Sequence, residues 1–267
     1  MNWELYSAAS WNELWQPSIL LQSLGLQVLY LLFVVGPWRK VFPHARKSHP
    51  KEIITFFIGA WVLFFTFGSP LDYTSDHFLF SAHMVQHLLE ILCMTPILMK
   101  GIPDYIYLAL FHAKGIGAVL YRWTKPMVAV IVFNVLFTAF HIPFLYDMTL
   151  QYEWFHFIEH LSFFVCAFFL WWPLLGIIPE IHSIKTTRKM GYLFYASMLS
   201  MPIDTILFFS SNPWYKDYVA APRLITGLSA IGDQQLGAII MFAGMVAVFG
   251  SIFIATYLHY DNSEWYE

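Results

Sequence analysis

Seven apolar stretches, at about 18–36, 53–69, 77–99, 127–145, 154–175, 192–210 and 231–258, take up most of this chain. Each approaches the roughly 20 residues that an α-helix needs to cross a hydrocarbon core. Backbone amides in that environment must pair with one another, so such runs read as helices. With 58% hydrophobic and 12% charged residues among 267, and a positive mean hydropathy, the chain is not a soluble globular domain. The expectation is an all-α polytopic membrane protein, a single domain over residues 1–267 with seven transmembrane helices.

The basic residues orient those helices. Arg39, Lys40, Arg46, Lys47 and Lys51 follow the first run, Lys100, Lys114, Arg122 and Lys125 the third, and Lys185, Arg188 and Lys189 the fifth; the alternate connections hold only Lys216 and Arg223. Twelve against two places the N-terminus outside and the C-terminus in the cytoplasm. Glu4 and Glu13 precede the first run with no basic segment, so no cleaved signal peptide is expected and the run stays as a helix. Cys93 and Cys166 fall inside the third and fifth runs, which does not suggest an extracellular disulfide framework. A formal charge of −3 calls for no nucleic-acid partner.

Against this apolar background a histidine pair occurs twice. His83 and His87 head the third run and His156 and His160 the fifth, each pair four residues apart. One helical turn separates the members, so each pair shares a face and can chelate one metal ion. Ionisable groups in membrane-length segments are costly and read first as functional. A shift of 73 positions also lays Val62, Leu63, Phe64, Phe67, Pro70, Tyr73, His83, His87, Leu88 and Cys93 onto identical residues, ten identities in a 32-residue window without a gap. The expectation is a tandem repeat of helices two–three and four–five, related by an axis along the membrane normal, with the two pairs facing one another.

With that orientation, His77, His83, His87, His141, His156, His160, Asp204, Asp233 and Gln234 all lie in the outer layer of the membrane. His83, His87, His156 and His160 are the expected metal ligands, and His141, Glu159, Asp233, Gln234, Asp204, His77 and Met84 are candidates for additional ligands or for groups that orient them. Blander readings stay open for several. His77 and His141 are also what a helix end needs to bond water or a carbonyl, Asp204 can accept from a Tyr or Trp, and Met84 is an ordinary core filler. Glu90 extends the stripe of His83 and His87 and can instead pair with a donor on a neighbouring helix. In a straight helix Cys93 and Cys166 point about 120° away from the nearer histidines and lie about 9 Å deeper.

Several motifs together resemble a known family. SAHMVQH (81–87), FHIP (140–143), HFIEHLSFF (156–164), WWPLLG (171–176) and DQQLG (233–237) are similar to those of the multi-spanning CtaG-type cytochrome c oxidase assembly factors of Gram-positive and related bacteria. The resemblance implies a bacterial plasma-membrane protein, not an enzyme, that serves a haem–copper oxidase and has a part in its copper supply, with the oxidase subunits as partners. It carries His83, Gln86, His87, His141, His156, Glu159, His160, Asp233, Gln234 and Gln235 as the family's polar positions, and it leaves Glu90 outside the pattern. Imidazole suits copper and zinc alike. The rival readings are an intramembrane zinc hydrolase, with Glu159, Asp204 or Asp233 as general base, and a b-type cytochrome with haem between helices three and five. Zinc in place of copper, and homo-oligomerisation, stay open.

The charge asymmetry makes a direct prediction. A cysteine introduced at Asn212 should react with a membrane-impermeant thiol reagent in intact cells, and one at Ser183 only after permeabilisation; the reverse pattern would invert the orientation.

Overall fold

The computed structural model describes residues 2, 4–42 and 44–264, and among them every regular element is helical. Two short turns, α1 (Glu4–Ser7) and α2 (Trp11–Leu14), precede α3 (Pro17–Val34). A loop containing a 3₁₀ turn leads to α4 (Pro50–Phe67), then α5 (Pro70–His77) and α6 (Phe80–Leu88). A π-helical segment, Leu89–Met94, carries α6 into α7 (Thr95–Gly101). After α8 (Asp104–His112) and α9 (Ile116–Trp123) come α10 (Pro126–Phe140), α11 (Pro143–Gln151) and α12 (Glu153–Leu175). The chain ends through α13 (Thr186–Met198), α14 (Met201–Phe209), the short α15 (Lys216–Ala220) and α16 (Ala230–Glu264).

Six helical segments among the described residues are long and apolar enough to cross a membrane, and a seventh is counted if α9 and α10 act as one span bent by 84°. The expected fourth span is therefore not one straight helix. Pro126 cannot continue the α9 ladder, and α10 alone has 15 residues, short of the ~20 required. The third helix also starts later than expected, because Phe78 and Leu79 leave helical geometry and His77 closes α5. The sixth span is interrupted at Leu199–Ser200, ahead of Pro202.

Proline and cap chemistry set most starts. Pro17, Pro50, Pro70, Pro126 and Pro143 each open a helix, where the missing amide costs nothing. Ser69 Oγ accepts from the Leu71 amide at α5, and the Glu52 carboxylate accepts from the His49 amide at α4 while also binding Arg46. The boundaries repeat as the sequence match suggests. α4 and α10 end at Phe67 and Phe140, α5 and α11 begin at Pro70 and Pro143, and α6 and α12 begin at Phe80 and Glu153, all 73 residues apart.

The outer surface is apolar as well as the core, unlike that of a soluble protein. Leu21, Val28, Ile54, Phe65, Val135, Phe157 and Phe209 are exposed on the outside, as a lipid-facing surface requires. α6 packs on α16, α10 on α12 and α4 on α7, enclosing a large core that includes Phe80, Met84, Phe133, Phe137, Phe163 and Met241. A second cluster joins Tyr30, Val34 and Phe56 to Met94 and Leu98. There the Tyr30 and Phe56 rings stack at 3.8 Å, and the Tyr30 hydroxyl donates to the Gly101 carbonyl at 2.8 Å.

Gly101 permits this approach. A Cβ there would lie 2.4 Å from the Phe56 backbone nitrogen, so Gly101→Ala should force α7 off α4 and cost roughly 1–3 kcal/mol. Gly25→Ala, with nothing within 4 Å of the added carbon, should be neutral or better. Thermal unfolding of the detergent-solubilised variants checks the contrast, and equal midpoints would contradict the packing.

Candidate metal centre

α6 and α12 bring the two histidine pairs together. Within each pair the ring centroids are 4.4 Å (His83–His87) and 4.7 Å (His156–His160) apart. Across the helices His83 lies 5.4 Å from His156 and 5.6 Å from His160, and His87 lies 5.0 Å from His160. His83 and His87 are fully buried, whereas the side chains of His156 and His160 keep 16% and 12% exposure. The cluster therefore opens on its α12 side.

Glu159 sits among them, fully buried. Its Oε2 is 3.7 Å from His83 Nε2 and its Oε1 is 3.7 Å from His87 Nε2, too far for hydrogen bonds. The nearby Thr149 hydroxyl gives its proton to the Tyr146 carbonyl instead. Both Glu159 oxygens, His83 Nε2 and both ring nitrogens of His87 are thus buried without a hydrogen-bond partner. Each such group costs about 1–3 kcal/mol unless something binds it.

The remaining ring nitrogens show which way the lone pairs face. Tyr218 donates its hydroxyl proton to the Ser75 carbonyl, so at 3.4 Å its oxygen can only accept from His83 Nδ1–H, which leaves the His83 Nε2 lone pair toward Glu159. His160 Nδ1–H donates to Glu90 Oε2 at 2.8 Å, and His160 Nε2 meets His156 Nε2 at 2.9 Å. His156 Nδ1 lies 3.9 Å from Asp76 Oδ2. One ligating atom from each of His83, His156, Glu159 and His160 lies within 4.8 Å of the others, and the same holds for His87, Glu90 and His160. Nitrogen and oxygen donors in this arrangement suit Zn²⁺ or Cu²⁺.

The π-helical segment is what turns Glu90 inward. Trp171 on α12 donates its indole N–H to the Ile91 carbonyl at 2.8 Å, the acceptor that the Thr95 amide would use in an α-helix. The Thr95 amide and hydroxyl both go to the Glu90 carbonyl instead, and Pro96 supplies no amide. One extra residue is thereby accommodated in the turn.

A family model described as cytochrome c oxidase caa3 assembly factor (Caa3_CtaG) matches residues 28–260. The chain belongs to that family. No curated protein and no solved structure matches it.

Around the centre of this Caa3_CtaG chain, other polar residues hold helices in place. Asp233, at the start of α16, accepts from the Phe80 and Ser81 amides and from the Ser81 hydroxyl, capping the helix that carries His83. Gln234 accepts from the Trp214 amide and donates to the Leu207 carbonyl. Gln86 donates to Asp72 and to the Thr66 carbonyl. His141 is buried 5.9 Å from His87, donates through Nδ1 to the Phe137 carbonyl, and faces Met84 Sδ through Nε2 at 3.3 Å. His77 is exposed and stacks on Tyr73. Asp204 is buried with both oxygens unpartnered and lines a separate cavity of about 220 Å³ with Met201, Phe208 and Phe242. Asp76 is the one member of the cluster for which the sequence carries no pattern. It precedes the break at Phe78–Leu79 that folds α5 back over α6.

Proposed function

We propose that this chain is a bacterial plasma-membrane assembly factor for a haem–copper oxidase, holding copper through His83, His87, His156 and His160 near the outer face of the membrane and supporting its delivery to the oxidase subunits. The observation that carries the reading is the set of buried, unpartnered donors on Glu159, His83 and His87 in a chain of this family. Bound metal would satisfy such groups, and no hydrogen bond among the described residues does so. The charge asymmetry supports an external N-terminus, which sets the cluster in the outer layer, and the recurring helix boundaries support the tandem repeat. The role is that of a carrier rather than an enzyme, with copper as cargo. The partly exposed His156 and His160 give that cargo a route for ligand exchange.

Replacing His83 or His160 by Ala should leave the protein inserted and abundant yet lower its affinity for copper at least about tenfold. Oxidase subunits should then accumulate with reduced copper and activity, and added copper should restore part of both. Normal oxidase copper and activity beside a stable mutant protein would refute the proposal and favour the zinc-hydrolase alternative.

A further inference from the structure

One ion does not account for all the donors. Seated among His83, His156, His160 and Glu159, it would satisfy His83 Nε2 and Glu159 Oε2 and leave Glu159 Oε1 and His87 Nε2, 3.7 Å apart, buried and unmatched. The second donor group, His87, Glu90 and His160, stands beside those leftover atoms.

We propose that the cluster is a two-ion centre in which the Glu159 carboxylate bridges the ions; this rests on the metal-binding reading above. The two Glu159 oxygens face different histidines at the same 3.7 Å. Ligands of one tetrahedral ion with bonds of about 2.0–2.2 Å stand roughly 3.3–3.6 Å apart, so each His–Glu159 pair, at 3.7 Å, lies within about 0.1–0.4 Å of the spacing of two donors flanking an ion. The first position takes His83 Nε2, His156, His160 Nε2 and Glu159 Oε2. The second lies between His87 Nε2 and Glu159 Oε1, with Glu90 reaching it from the neighbouring group of His87, Glu90 and His160. Glu90 accepts the His160 Nδ1 proton through Oε2, which fixes that ring toward the first ion.

The charges agree with divalent occupants. Glu90, Glu159 and Asp76 offset three of the four positive charges that two such ions bring. Imidazole and carboxylate select Cu²⁺ or Zn²⁺ over Cu⁺.

The experiment loads the purified full-length protein with Cu²⁺ after chelation and measures metal per chain together with the electron paramagnetic resonance spectrum. The expected result is two Cu²⁺ per chain with a signal weaker than two independent spins, because a bridging carboxylate couples them. His87→Ala and Glu90→Gln should each retain one Cu²⁺ and give an uncoupled signal of full intensity. One Cu²⁺ per wild-type chain, or two with independent spins, would overturn the bridged centre while leaving copper binding intact. Failure of the wild-type protein to bind Cu²⁺ would overturn the proposed function as well.

Discussion

The rest of the structure is arranged around a set of imidazoles and carboxylates buried in the interior of an apolar helix bundle. Such groups are expensive where no water reaches them, and the expense falls only when donors and acceptors are matched or an ion is bound. Much of the polar structure serves to fix their positions. Asp233 anchors the start of α6, Tyr218 fixes the His83 ring, and Trp171 opens the π-helical turn that directs Glu90 to His160. Removing the histidines would leave the caps and the indole bond without an evident purpose beyond packing.

The asymmetry of exposure gives the centre a direction. His83, His87 and Glu159 are sealed, while His156, His160 and Asp76 keep side-chain exposures of 16%, 12% and 29%. On the proposed reading, cargo enters and leaves along the α12 face, where ligands can be exchanged one at a time, and is retained by the donors behind it. His141 and Met84 form the softer boundary of the cluster, beyond His87.

Much of this was legible in the sequence because it depends on local spacing. Four-residue histidine pairs fix a shared helix face, and Pro70 and Pro143 in one register mark helix starts that the structure also has. The family resemblance rested on the same motifs. What the sequence hid depends on contacts between distant segments. Whether Asp233 binds an ion or caps a helix turns on how α16 meets α6. Glu90 reaches His160 because the Trp171 indole, 80 residues beyond Ile91, takes the Ile91 carbonyl and disrupts one turn. Asp76 is drawn in by a break that no proline or glycine announces. The fourth apolar run appeared long enough to span, since its hydropathy continues past Phe140, but His141 and Pro143 end α10 and begin a separate helix.

The central claim is that these histidines and carboxylates hold a metal ion, and X-ray absorption at the copper edge on copper-loaded protein in membranes tests it most directly. The account predicts a first shell of nitrogen and oxygen at about 2.0 Å with the outer-shell scattering of several imidazole rings, lost in a variant lacking His83 and His160. A shell dominated by sulfur, or a spectrum unchanged by removing those two residues, would contradict it.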